Sequence, residues 1–263
     1  YKYMDEKLNQ FYDILAEYNF DGEFAINRNL NIRFLPKITI GTGMKNLSFP
    51  IPKDQLDWIK FCSYQAPFGR KEETLIDLKV RNSLQIDSNF ISIKNIDQWN
   101  FLLAKIKRII KAEFKIDENI EIELELYKLL YYETGSHFKL HRDTTKNVGM
   151  IGTLVINLPT IDGFKGGDIE IHHLDSKKIF SNELNSDSGF SFTAFYSDCL
   201  HEIKEITFGQ RVCIIYNIIS KGVLNKNMLS NDSKNEIRGD LVEIPKIDLV
   251  CVKLKEWFQQ TSI

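Results

Sequence analysis

Residues 121–132 read EIELELYKLLYY. Apolar and charged side chains alternate through the first half of this stretch. A strand sends successive side chains to opposite faces, so the pattern predicts a half-buried strand. Outward from it, toward the C-terminus, the same texture returns in short pieces: 138–143, 150–158, 168–172, 190–196 and 211–219. Turn residues separate them, at Glu133-Thr134-Gly135, from Pro159 to Gly167, at Asp187-Ser188-Gly189 and at Phe208-Gly209. No helical periodicity intervenes. Parallel sheets need crossover helices, so the stretch excludes a βαβ sheet and predicts a sandwich or jelly roll.

The segment upstream has a different character. Residues 5–18 carry Leu8, Phe11, Tyr12, Leu15 and Ala16 at helical spacing, ahead of a stop at Asp21-Gly22. Residues 24–51 read as extended pieces broken by Pro36, Gly41, Gly43, Pro50 and Pro52. A short helix is expected over 54–63 and a longer one over 97–114, with Phe101, Leu102, Lys105, Ile106, Ile109 and Ile110 as its buried stripe. Residues 221–240 are rich in Asn, Ser and Lys and read as a linker, followed by a closing strand or helix over 248–258. The expected organisation is therefore α+β with a mainly β core. A supporting N-terminal region covers 1–115, the core covers 116–220, and a polar linker with a C-terminal element covers 221–263.

The chain has 263 residues, 43 % of them hydrophobic and 27 % charged, enough for one large domain with a sizeable core. A net charge of -2 supplies no global basic field, so neither nucleic acid nor an anionic membrane is an expected partner. No apolar run approaches the length that spans a bilayer. Cys62, Cys199, Cys213 and Cys251 form no C-x-x-C pair. Free thiols in a reducing compartment are expected, the cytoplasm first and the nucleus as the alternative.

His141 and Asp143 stand two apart in an expected strand, so both side chains leave one face. An imidazole and a carboxylate so placed can occupy neighbouring positions on an octahedral ion. His201, closing the run 190–200, is the expected third ligand. Two histidines and one carboxylate leave three coordination positions open and suit non-haem Fe(II). A cupin-type site for Mn or Zn is the alternative metal reading. Arg211 follows His201 by ten residues and opens an apolar strand. A cation buried there needs an anion, for which a carboxylate is the best match. The competing reading is an internal salt bridge to Glu202 or Glu205.

In order along the chain, YYETGSHFKLHRDT, GTLVINLP, GFKGGDIEIHH, FSFTAFYSDCLHEI and GQRVCIIYNI resemble the prolyl-4-hydroxylase-type branch of the Fe(II)/2-oxoglutarate dioxygenases. The resemblance covers about residues 121–220. It implies a double-stranded β-helix, a form of jelly roll. His141, Asp143 and His201 match its iron ligands, and Arg211 matches the basic residue that pairs with the far carboxylate of 2-oxoglutarate. Tyr132 matches a tyrosine that hydrogen-bonds the co-substrate, and Thr153 matches a hydroxyl near the same carboxylate. Fe(II), 2-oxoglutarate, O2 and ascorbate are the implied cofactors. The implied activity is hydroxylation of a protein prolyl or other side chain. The alternatives are an oxygenase acting on a small metabolite and a non-catalytic jelly-roll binding or scaffold module. Phe138 departs from the tyrosine that members usually carry three residues before the first ligand, which bears on substrate rather than metal. The upstream run APFGRKEETLIDLKVRNSLQID is similar to a segment preceding the core in long members of the superfamily and assigns no role.

Among the remaining candidates, His137 is expected on the strand face of His141 and half-exposed, with His172 and His173 on the surface or a substrate rim. Cys199 and His201 stand two apart, but same-face neighbours on a strand point in parallel, which disfavours a nucleophile and base pair. Arg142 and Lys146 read as solvated charge beside the first ligands.

Overall fold

The computed structural model describes residues 22–41, 46–70, 73–143 and 148–223. The helix expected over 5–18, the residues from 224 onward and Cys251 lie outside the described residues. Before residue 116 the chain forms β1 (Ala25–Leu30), β2 (Ile38–Ile40), α1 (Lys53–Cys62), β3 (Tyr64–Gln65), β4 (Phe68–Arg70) and β5 (Glu73–Leu75). These are followed by β6 (Arg81–Asn82), β7 (Leu84–Asp87), β8 (Ile91–Ile93) and α2 (Ile96–Glu113). After it come β9 (Ile120–Glu133), β10 (His137–His141), β11 (Met150–Leu158), β12 (Phe164–Gly166) and β13 (Ile169–His173). The remaining strands are β14 (Ser176–Phe180), β15 (Phe190–Tyr196), β16 (Leu200–Ile203) and β17 (Ile206–Val223).

Two antiparallel sheets make the jelly roll. The larger runs β1-β15-β11-β17-β9-β7-β3, with β12 paired to one end of β17. The smaller runs β14-β13-β16-β10-β6. Strands from before residue 116 thus lie in both sheets: β1 pairs β15, β7 pairs β9 and β6 pairs β10. The fold is α+β with a mainly β core, as expected.

Period-two alternation decides what each face of the larger sheet does. On β17, Val212, Ile214, Tyr216 and Ile218 join the main apolar cluster with α2. Arg211, Cys213, Ile215 and Asn217, one step out of phase, line the cavity between the sheets. Leu154 and Ile156 on β11 face the helix, and Thr153 and Val155 face the cavity. Trp99, Leu102, Leu103, Ile106 and Ile110 form the buried side of α2. Full burial of each such aliphatic chain stabilises by about 1.5–3 kcal/mol. Trp99 Nε1 donates to the Tyr216 hydroxyl at 2.7 Å, tying helix to sheet.

Several boundaries differ from expectation. The helical stripe begins at Trp99, and Phe101 is 71 % exposed, because a residue two positions on lies on the opposite side of a helix. Strand β10 stops at His141, so Asp143 lies two residues beyond it. His201 sits on β16, a strand of the smaller sheet, and not at the end of β15. The Phe208-Gly209 turn signal does not interrupt β17, which places Arg211 inside a long strand. Gly209 has φ +76, and a Cβ there would collide with the Gly163 carbonyl where β12 pairs. The residue type that reads as a turn in sequence is used here for close approach of two backbones.

Candidate metal centre and co-substrate cavity

His141 ends β10 and pairs across the smaller sheet with His201 on β16. Their rings lie 4.1 Å apart between centroids. Asp143 Oδ1 lies 3.9 Å from His141 Nε2 and 3.7 Å from His201 Nε2. One ligand atom from each of the three lies within 4.8 Å of the others, close enough to share one ion.

The hydrogen bonds behind these atoms fix their state. His141 Nδ1 donates to the Lys139 carbonyl at 2.8 Å, and His201 Nδ1 donates to the Cys199 carbonyl at 3.1 Å. A carbonyl only accepts, so each Nδ1 carries the proton and each Nε2 is left with its lone pair. Burial first, then the neighbouring His201, pulls the His141 imidazole well below its ordinary pKa. Burial alone would raise the Asp143 carboxyl. The two histidines and the Thr153 hydroxyl outweigh it, and the net shift is downward. Neutral imidazoles and an ionised carboxylate are the forms that bind a cation. Two nitrogens and one oxygen, with one side open to a cavity, suit Fe(II).

Thr153, which lines the cavity, donates to Asp143 Oδ2 at 2.6 Å and leaves Oδ1 facing the histidines. Phe138 stacks on His141 at 3.4 Å between centroids, and the Arg81 guanidinium lies 4.4 Å from the Phe138 ring centroid. The pairing of β10 shifts between Phe138 and His141. Phe138 and His141 therefore both line the cavity. His137 turns away, its ring nitrogens 3.3 Å from the Gly135 and Lys79 carbonyls.

The cavity has a volume of 1180 Å³ and contains His141, Asp143, His201, Arg211, Tyr132 and Thr153 in its wall. Arg211 is 1 % exposed. Its Nε donates to Asn157 Oδ1 at 2.9 Å and its Nη1 to the Gly167 carbonyl at 3.0 Å. Both partners are neutral. Among the described residues no carboxylate lies within ion-pair distance of Arg211, so Glu202 and Glu205 do not neutralise it. Tyr132 is its cross-strand neighbour in the β9–β17 ladder. Burial holds the Tyr132 phenol above its ordinary range, so it stays a neutral donor, hydrogen-bonded with Ser83.

Sequence reading missed Arg81, Gln85, Tyr127 and Lys128 in the same wall. The β9–β17 register slips between Lys128 and Leu126, a bulge that turns both Tyr127 and Lys128 toward the cavity. Arg81 is buried, with Nε on Ser83 Oγ at 3.0 Å and Nη1 on the Pro67 carbonyl at 2.8 Å. It lies in the run 66–87, whose resemblance assigns no role. Cys199 Sγ lies 3.9 Å from His173 Nδ1. Burial, with the Asp198 charge second, pushes the Cys199 thiol up to about 12, so in the absence of a metal it stays protonated at neutral pH. Arg142 donates to the Asp198 carbonyl at 2.8 Å, and Lys146 lies outside the described residues.

No protein-family model and no curated protein matches the chain. It is similar to solved structures. One is an oxidoreductase of the 2OG-Fe(II) oxygenase family from Burkholderia pseudomallei, 12 % identical, covering 80 % of this chain and 90 % of that one, TM-score 0.41. Another is a prolyl hydroxylase from Trichoplax adhaerens, in complex with a hypoxia inducible factor peptide fragment, 11 % identical, covering 82 % and 91 %, TM-score 0.44. A Pseudomonas putida prolyl-4-hydroxylase is 16 % identical, covering 54 % and 74 %, TM-score 0.38. Among the described residues no helix is long and apolar enough to cross a membrane.

Proposed function

We propose that this chain is an Fe(II)- and 2-oxoglutarate-dependent oxygenase. The observation that carries the reading is Arg211: a buried cation with only neutral partners among the described residues, lining the cavity that holds His141, Asp143 and His201. A buried unpaired charge is costly, and a dicarboxylate anchored at the metal end and reaching Arg211 would neutralise it.

His141 Nε2, Asp143 Oδ1 and His201 Nε2 would hold the iron. A bound iron would supply the oxygen chemistry in which one atom of O2 enters succinate, formed with CO2 from 2-oxoglutarate, and the other enters a substrate C–H bond. The residues of the chain bind and orient. Arg211 takes the far carboxylate, held in direction by Asn157 and the Gly167 carbonyl. Tyr132 offers a neutral hydroxyl to the co-substrate. Cys213, Ile215, Val155 and Phe195 line the walls and exclude water. Exposed Ile76, Leu78 and Leu140 lie at the same cavity and give it an apolar mouth. That mouth favours a peptide segment with a prolyl or other side chain as substrate, with a small metabolite as the second choice. Among the described residues Cys62, Cys199 and Cys213 are free thiols, which accords with the cytoplasm or nucleus.

The test is O2 uptake and succinate release with Fe(II), 2-oxoglutarate and ascorbate, with and without peptides. Succinate formation that His141→Ala or Asp143→Ala abolishes supports the proposal. Wild-type protein that binds 2-oxoglutarate but forms no succinate under any condition would leave a binding module. Replacing Arg211 by Ala removes a charge-assisted pair worth about 1.5–3 kcal/mol, so the KM for 2-oxoglutarate should rise by about 10- to 100-fold. An unchanged KM would reject its role.

A further inference from the structure

A second group of metal-ligating side chains lies outside the centre just described. His173 ends β13, and Asp198 with Cys199 forms the turn between β15 and β16. One donor atom from each lies within 4.8 Å of the others. Cys199 Sγ and His173 Nδ1 are 3.9 Å apart. At ordinary zinc bond lengths, about 2.3 Å to sulfur and about 2.0 Å to nitrogen, a tetrahedral ion separates such donors by about 3.6 Å. A small closure of the pair would seat one.

The surroundings suit a site. The Cys199 residue is buried in the apolar cluster with Ile171 and Phe195. His173 is held by stacking on Phe24, 5.6 Å between centroids. Arg142 fixes the turn through the Asp198 carbonyl. Asp198 is exposed and gives an ion a way in. The group lies next to His201, whose Nδ1 rests on the Cys199 carbonyl.

We propose that His173, Asp198 and Cys199 form a second metal site, for a divalent ion of the zinc class, with solvent in the fourth position. Binding replaces the hydrogen on Cys199 Sγ by the metal, and the proton leaves to solvent. No electron is transferred. A thiolate, an imidazole and a carboxylate make a softer set than the triad, which has no sulfur, so the two sites differ in metal preference. By fixing the turn, the ion would also fix the carbonyl that orients His201. The site stands independently of the oxygenase reading.

The test uses the full chain with Co(II) as probe, read by absorption, and Zn(II) counted by elemental analysis. His141→Ala cripples the triad, so ion retained by that variant belongs elsewhere. It should bind one equivalent of Co(II) with a thiolate-to-metal charge-transfer band. Adding Cys199→Ser should abolish the band and weaken Zn(II) binding at least about tenfold, as His173→Ala should at a partly exposed position where folding is not at stake. Absence of the band in the His141→Ala protein, its survival in Cys199→Ser, or unchanged Zn(II) affinity in His173→Ala would each overturn the proposal.

Discussion

Thr153 and Asn157 act on the centre through other side chains. Thr153 Oγ1 holds one oxygen of Asp143, which selects the other for a metal. Thr153→Val keeps the shape and removes the donor, so Fe(II) affinity should fall by about 10- to 100-fold, measurable by metal titration. Asn157 receives Arg211 Nε and passes its own amide to Ser191 Oγ at 3.0 Å. Asn157→Ala should raise the KM for 2-oxoglutarate several-fold with kcat little changed. Asn157→Asp should raise it further, since a carboxylate beside the guanidinium competes with the co-substrate. Equal KM values in the two variants would reject this account. His141 and Asp143 were legible as a candidate pair because His-x-Asp spacing is local, and the structure brings His201 to them. Thr153 on Asp143, Asn157 on Arg211 and Arg81 on Phe138 were not, since each partnership joins residues that only the folded sheets bring together.

The elements that could be read were those whose alternation runs long enough to rise above chance. β9, β11, β15 and β17 each carry several apolar residues at one spacing, and α1 and α2 carry helical stripes. β3 and β6 have two residues each, too few for any period to show. β16 was merged with β15 because the turn between them, Ser197-Asp198-Cys199, holds neither Gly nor Pro. The pattern extends the strand to Asp143 because periodicity carries no stop signal of its own. Helix α2 supports the larger sheet without touching the cavity. Ile106→Ala, at a fully buried position, should cost about 2–5 kcal/mol in a denaturant titration and leave the KM for 2-oxoglutarate unchanged. A shift in KM would mean that the two faces of the sheet are coupled.

At the scale of the molecule, the described residues before 116 do more than pack against the core. β1 covers the β15 edge and β7 covers the β9 edge. A fragment of residues 116–223 would expose both edges and lose the apolar partners on α2. It should show no cooperative unfolding transition by circular dichroism and should aggregate. Cooperative melting of that fragment would restore the core as an independent unit. Sequence reading placed a boundary at residue 115 because character changes there, from helical to alternating. Hydrogen-bond pairing across that point has no signature in composition.

The β1–β15 ladder carries one more implication. Ala25 sits opposite Phe195 and Leu30 opposite Phe190. On the ribosome, β1 emerges well before its partner has been synthesised, and during that interval an apolar edge waits without its mate. Closing so large a loop is entropically slow, so refolding is expected on the timescale of about milliseconds to seconds, and the nascent chain is a natural client for chaperones.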